Sequence, residues 1–153
     1  MKRTAGIFLL LLLLCSCGKN DKKIKIDLLS FVNFSFSAAS GTEVFKGDAN
    51  YVNGALSVDI REPAELKNLS FSIDASGIRC SQDGVEGSYI RNDFSDEFLF
   101  YGLYDLITDA CAADDFERSG DGYVFSDEKN EIVFDQNGKP VSAKINGFAL
   151  LFT

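Results

Sequence analysis

Cysteine and carboxylate are the side chains in this 153-residue sequence that could do chemistry, because histidine is absent. That absence removes the commonest general base, a common zinc ligand and every Ser-His or Cys-His nucleophile pair. Cys80 and Cys111 lie too far apart for Cys-x-x-Cys redox or zinc spacing. A paired-carboxylate glycosidase needs a deep sugar cleft, which a small strand-rich chain without tryptophan does not announce. Asp114, Asp115, Glu117 and Asp121, with Gly120 and Gly122, have the composition of a calcium loop but not EF-hand spacing, so a solvated turn is the simpler reading. Glycine-rich phosphate loops are missing. The expectation is a non-enzyme that uses no metal and no cofactor.

The N-terminus reads as an address. Lys2 and Arg3 precede an apolar run from Ile7 to Leu14, with small residues and cysteines after it. This is the order of an export signal, and the run is well short of the roughly 20 apolar residues that span a bilayer. Leu14-Cys15-Ser16-Cys17 resembles the bacterial lipobox, which implies that Cys17 becomes acylated while Cys15 is discarded. On that reading residues 1–16 are a lipoprotein signal peptide and 17–26 an anchor with a basic tether (Lys19, Lys22, Lys23, Lys25). Residues 27–153 form one domain, held outside the cytoplasm at a membrane by two or three acyl chains. An ordinary secretory signal, cleaved nearby, is the alternative.

Formal charge is −8 for the whole sequence and about −10 once Lys2 and Arg3 are removed. The body therefore lacks the basic footprint that nucleic acid requires. Cys80 and Cys111 are the cysteines left in the body, in a compartment where a disulfide can persist. They are a candidate bridge between a strand and a helix end, worth about 3 to 4 kcal/mol in the chain-entropy model. Two buried free thiols are the equal alternative.

The elements that must position these residues are one helix and many strands. Residues 93–113 read as the helix: Leu99, Gly102, Leu103, Leu106 and Ala110 recur at helical spacing, flanked by Phe98 and Ile107, with Glu97, Tyr101, Asp105 and Thr108 opposite. Asn92 or Asp93 is the expected N-cap, with Asp96 and Glu97 in the first turn. Before it, Ile24, Ile26, Leu28, Val32, Phe34, Phe36 and Ala38 share one parity and predict a long first strand. Further strands are expected at 42–51, around Leu56, Val58 and Ile60, at 69–75, around Ile78 and Cys80, and weakly at 85–90. Asn53-Gly54 and Asp83-Gly84 mark hairpins, and Pro63 ends the third strand. After the helix, short strands are expected at 115–118, 123–126, 131–135, 141–145 and 148–152. The last, with Ala149, Leu150, Leu151 and Phe152, should be buried on both faces or cover an open sheet edge. The class is α+β, mainly β: a curved antiparallel meander, or half-barrel, wrapping one central helix.

That order of elements resembles the LolA/LolB-like half-barrel of bacterial lipoprotein carriers and the related LppX-type lipoproteins. The carrying segments are Gly54-Ala55-Leu56 through Pro63, Leu66, Leu69-Ser70-Phe71, the Gly77 turn, the helix, and the Asp135-Gln136-Asn137-Gly138-Lys139-Pro140 hairpin. The chain lacks the amphipathic helix that carriers place before their first strand. The resemblance implies a concave apolar mouth, and phenylalanine is abundant, with 14 in the sequence. Phe34, Phe36, Phe71, Phe98, Leu99, Leu103 and Leu106 are the expected lining of a site for a lipid or other hydrophobic ligand. The alternative is a filled core in a module that docks another envelope protein. Room decides between them: an apolar cavity beside Leu99, Leu103 and Leu106 means binding, a packed interior means a structural role, and a filled interior with an exposed apolar patch means docking.

Overall fold

The computed structural model describes residues 31–93, 95 and 97–153. Cys17, the tether and the Ile24, Ile26 and Leu28 positions lie outside the described residues, as do Phe94 and Asp96. Six strands come first: β1 Phe34–Ser40, β2 Glu43–Val52, β3 Ala55–Glu62, β4 Ser70–Asp74, β5 Gly77–Gln82 and β6 Val85–Ile90. The helix α1, Leu99–Ala112, follows. Then come β7 Glu117–Ser119, β8 Gly122–Ser126, β9 Glu131–Phe134, β10 Pro140–Ile145 and β11 Phe148–Phe152.

All eleven form one open antiparallel sheet in the order β6-β5-β4-β3-β2-β1-β11-β10-β9-β8-β7. Tight turns explain the meander. At Asn53-Gly54 both residues take left-handed φ values of 54° and 74°, the geometry that a two-residue hairpin needs. Asp135 closes the β9–β10 turn by accepting the N–H groups of Asn137 at 2.7 Å and Lys139 at 3.0 Å. The first and last strands meet in the middle, where Phe36 stands opposite Phe152 and Ala38 opposite Leu150. β11 thus pairs on both sides, yet only one face is buried: Leu150 is inside and Leu151 is 59% exposed. The expectation of burial on both faces fails because the sheet has a single concave side.

One residue interrupts the expected first strand. Asn33 has φ 63°, which breaks the two-residue alternation. Val32 is therefore 40% exposed and Phe31 is fully buried, the reverse of the parity reading.

The helix starts later than its sequence signals. Asp93 does not cap it; its carboxylate accepts the Ile90 N–H at 3.3 Å within a single 3-10 turn, Arg91–Asp93. Phe98 occupies the N-cap position without a side-chain hydrogen bond, and Glu97 stays outside the helix. Leu103, Leu106 and Ile107 are fully buried against Leu56, Val58, Ile73 and Ile78 from one half of the sheet and Ile132, Phe134 and Ile145 from the other. Aromatic contacts fix the seat, with ring centroids 5.8 Å apart for Phe36–Phe100 and 5.2 Å for Phe71–Phe100.

Candidate functional site

The residues expected to line a ligand cavity are mostly core. Phe34, Phe36, Leu99, Leu103 and Leu106 are buried within the same apolar cluster. Phe71 and Phe98 are partly buried and touch each other at 5.5 Å between centroids. Four clefts formed by the described residues have volumes of about 460, 340, 310 and 300 Å³; Phe71 lines the third and Phe34 the fourth, while Phe36, Phe98, Leu99, Leu103 and Leu106 line none of these four. Phe36, Leu99, Leu103 and Leu106 pack against one another and their neighbours within that cluster.

The helix is enclosed further round than its pattern suggests. Tyr101, expected on the polar face, is 3% exposed. The Arg91 guanidinium covers its ring at 5.4 Å, and Phe98 packs edge-on at 6.0 Å. Burial pushes the Tyr101 phenol up from its ordinary value, partly opposed by the charge of Arg91. Thr108, on the same face, donates to the Tyr104 carbonyl at 2.7 Å and meets the Tyr51 hydroxyl at 3.1 Å, tying α1 to β2.

The largest of the four clefts, about 460 Å³, opens at this covered face. Tyr101, Gly102, Asp105 and Asp109 of α1 form one wall; Arg91, Ser95, the 127–130 turn and Asn146 form the rest. Arg91 grips Asp105 with both guanidinium nitrogens, the Nη1–Oδ1 contact at 2.9 Å. Opposite, Asp127 accepts the N–H groups of Lys129 and Asn130 at 2.7 Å each, and Asn130 Oδ1 accepts the Asn146 N–H at 3.1 Å. Burial works against the charge of Asp127, but these donors hold its carboxyl below the ordinary value. The cleft thus presents four carboxylates, Asp105, Asp109, Asp127 and Glu128, against two cations, Arg91 and Lys129. Sequence reading missed it. Its walls come from segments far apart in the chain, and the local signal, an Asp127-x-x-Asn130 turn, does not say that it faces the helix.

Cys80 and Cys111 are free thiols, both partly buried. Cys80 stands opposite Phe71, on the face that meets Phe98 at the start of the helix. Of the two readings held equal, a bridge from strand to helix end and two free thiols, the structure has the free thiols. Asp114, Asp115, Glu117 and Asp121 lie in and around the short β7 hairpin, and among the described residues no group of three or more potential ligands converges on a metal position. No helix among the described residues is long and apolar enough to cross a membrane.

The strand order and the helix define the class: an open antiparallel half-barrel closed over one buried helix. No protein-family model and no curated protein sequence matches the chain. It is similar to a solved structure, a LolA superfamily protein, NE2245, from Nitrosomonas europaea. The identity is 14%, the match covers 74% of this chain and 62% of that protein, and the TM-score is 0.36. The chain therefore spans less than two thirds of that protein's length.

Proposed function

We propose that this chain is a non-catalytic envelope lipoprotein, anchored outside the cytoplasm through acylated Cys17, that works by contact with another envelope protein rather than by carrying a lipid in its half-barrel. The observation that supports this is the filled mouth: Leu103, Leu106 and Ile107 are fully buried where a carrier needs space. The acidic cleft beside Asp105 and Asp127 is the best-developed surface for such a contact, and a basic partner suits it. One observation favours the second reading, a bound apolar group. Phe71 and Phe98, partly buried at the start of the helix, offer two adjoining rings to it.

Native mass spectrometry of the full chain, purified from a lipid-rich host and followed by organic extraction, separates the two. The contact reading expects no extractable ligand beyond the covalent anchor and no uptake of added fatty acid or phospholipid. A stoichiometric bound lipid overturns it in favour of the second reading.

A further inference from the structure

We propose that the β6 edge of the sheet is a self-pairing interface, through which two copies of this chain join antiparallel about a twofold axis at Gly87.

The two edges of the sheet are unlike. β7 is three residues long, fully exposed and charged through Glu117 and Arg118, features that discourage strand addition. β6 has six residues and one charge, Glu86, with Val85 75%, Tyr89 45% and Ile90 61% exposed. Such an edge invites pairing, and because β7 does not, a head-to-tail β6–β7 filament is disfavoured against a closed twofold dimer.

Backbone geometry selects the register. The Asp83-Gly84 loop is a two-residue hairpin closed by Gln82 opposite Val85, so Val85, Gly87 and Tyr89 exchange hydrogen bonds with β5. By alternation Glu86 and Ser88 direct their N–H and C=O groups away from the sheet. The N–H of Ile90 points the same way but is held by the Asp93 carboxylate at 3.3 Å, which ends the usable ladder. A twofold normal to the sheet keeps concave face with concave face and leaves two close registers. Centring on Ser88 pairs Glu86 with Ile90 and needs the N–H that Asp93 already holds. Centring on Gly87 pairs Glu86 with Ser88 in both directions and leaves Ile90 out.

Side chains agree with the second register. On the concave face Val85 of each copy meets Tyr89 of the other, an aromatic–aliphatic cross-strand pair. The Tyr89 ring already lies over Gly87, where a Cβ would stand 3.0 Å from Cε2, so glycine at the axis gives both rings room to converge. On the convex face Glu86 of one copy joins the row formed by Ser88 and Arg79 of the other, since Arg79 stands opposite Ser88 in the β5–β6 ladder. Arg79 lies 3.8 Å from Asp74 of its own chain and is 68% exposed, so its guanidinium is shared between Asp74 and the incoming Glu86. This inference does not rest on the anchor or on what the acidic cleft contacts.

Sedimentation equilibrium of the full chain in detergent, up to about 100 μM because so short an interface falls below the roughly 1,200 Å² of stable complexes, is expected to show a monomer–dimer equilibrium. Ser88→Pro removes an outward N–H that β5 does not use. It should weaken the dimer about tenfold or more while the melting temperature stays unchanged. Glu86→Arg should weaken it too, and Arg79→Glu in the same chain should restore it. A monomer across the whole range, or a dimer indifferent to both the proline and the charge exchange, overturns the proposal.

Discussion

Gly102 of the helix lies so close to Ile145 of β10 that a Cβ on residue 102 would stand 2.4 Å from Ile145 Cγ2 and 2.9 Å from Asn146 Nδ2. Ile145 is fully buried and has nowhere to retreat. This contact seats α1 against the C-terminal half of the sheet, as Phe100 against Phe36 and Phe71 seats it against the N-terminal half.

Gly102→Ala should therefore destabilise the protein, although glycine to alanine inside a helix ordinarily stabilises by about 1 kcal/mol. Overpacking against Ile145 sets the sign, and the expected loss is about 1 to 3 kcal/mol in urea unfolding. Leu103→Ala tests the same seat by removal and should cost about 2 to 5 kcal/mol. A stabilised Gly102→Ala protein would mean that the helix sits further from β10.

Asp135 makes stability depend on acid. The Lys139 N–H, followed by the N–H and side chain of Asn137, holds its carboxyl below the ordinary value of 3.8. A depressed folded-state value means stability that is present above pH 3.8 and lost as pH falls through the folded value. The difference in unfolding free energy between the native chain and Asp135→Asn should be largest at neutral pH and shrink below about pH 4. Urea melts from neutral pH downward check this; a difference that grows in acid refutes it.

Thiol labelling tests the free state of Cys80 and Cys111. Alkylation in denaturant without reductant should label both peptides. Under native conditions Cys111 should react slowly, because burial pushes its thiol up and the thiolate is the reacting form. Peptides that take label only after reduction would establish a bridge.

The proposed anchor is acylated Cys17. If that proposal holds, Cys17→Ser should move the protein from the membrane fraction to the soluble one on cell fractionation, since the acyl chains would provide the attachment. A variant that stays in the membrane fraction would show that something else holds it there.

The sequence was most legible where a local rule acts without competition. The alternation of Leu56, Val58 and Ile60 and the glycine turns placed the strands from β2 onward to within a few residues, and the Leu99, Leu103, Leu106 spacing found the helix and its buried face. It misled where a tertiary partner took over a local signal. Asp93 looked like a cap and serves Ile90 instead. Tyr101 looked solvent-facing until Arg91 came across to cover it. Phe31 and Val32 exchanged places through one left-handed residue, Asn33. Phe34, Phe36, Phe71 and Phe98 do pack in or against the core, but periodicity cannot tell a lined cavity from a filled one, and the acidic cleft depends on segments that only the fold brings together.

Amide hydrogen exchange of Leu103 to Ile107 reports on how firmly the helix is seated, because a filled half-barrel with a fixed helix leaves these amides no route to water short of global unfolding. They should exchange with the free energy of global unfolding measured in urea. Exchange through a much smaller opening energy would show that the helix lifts from the sheet to expose a cavity, and would contradict the reading of this protein as a packed contact module.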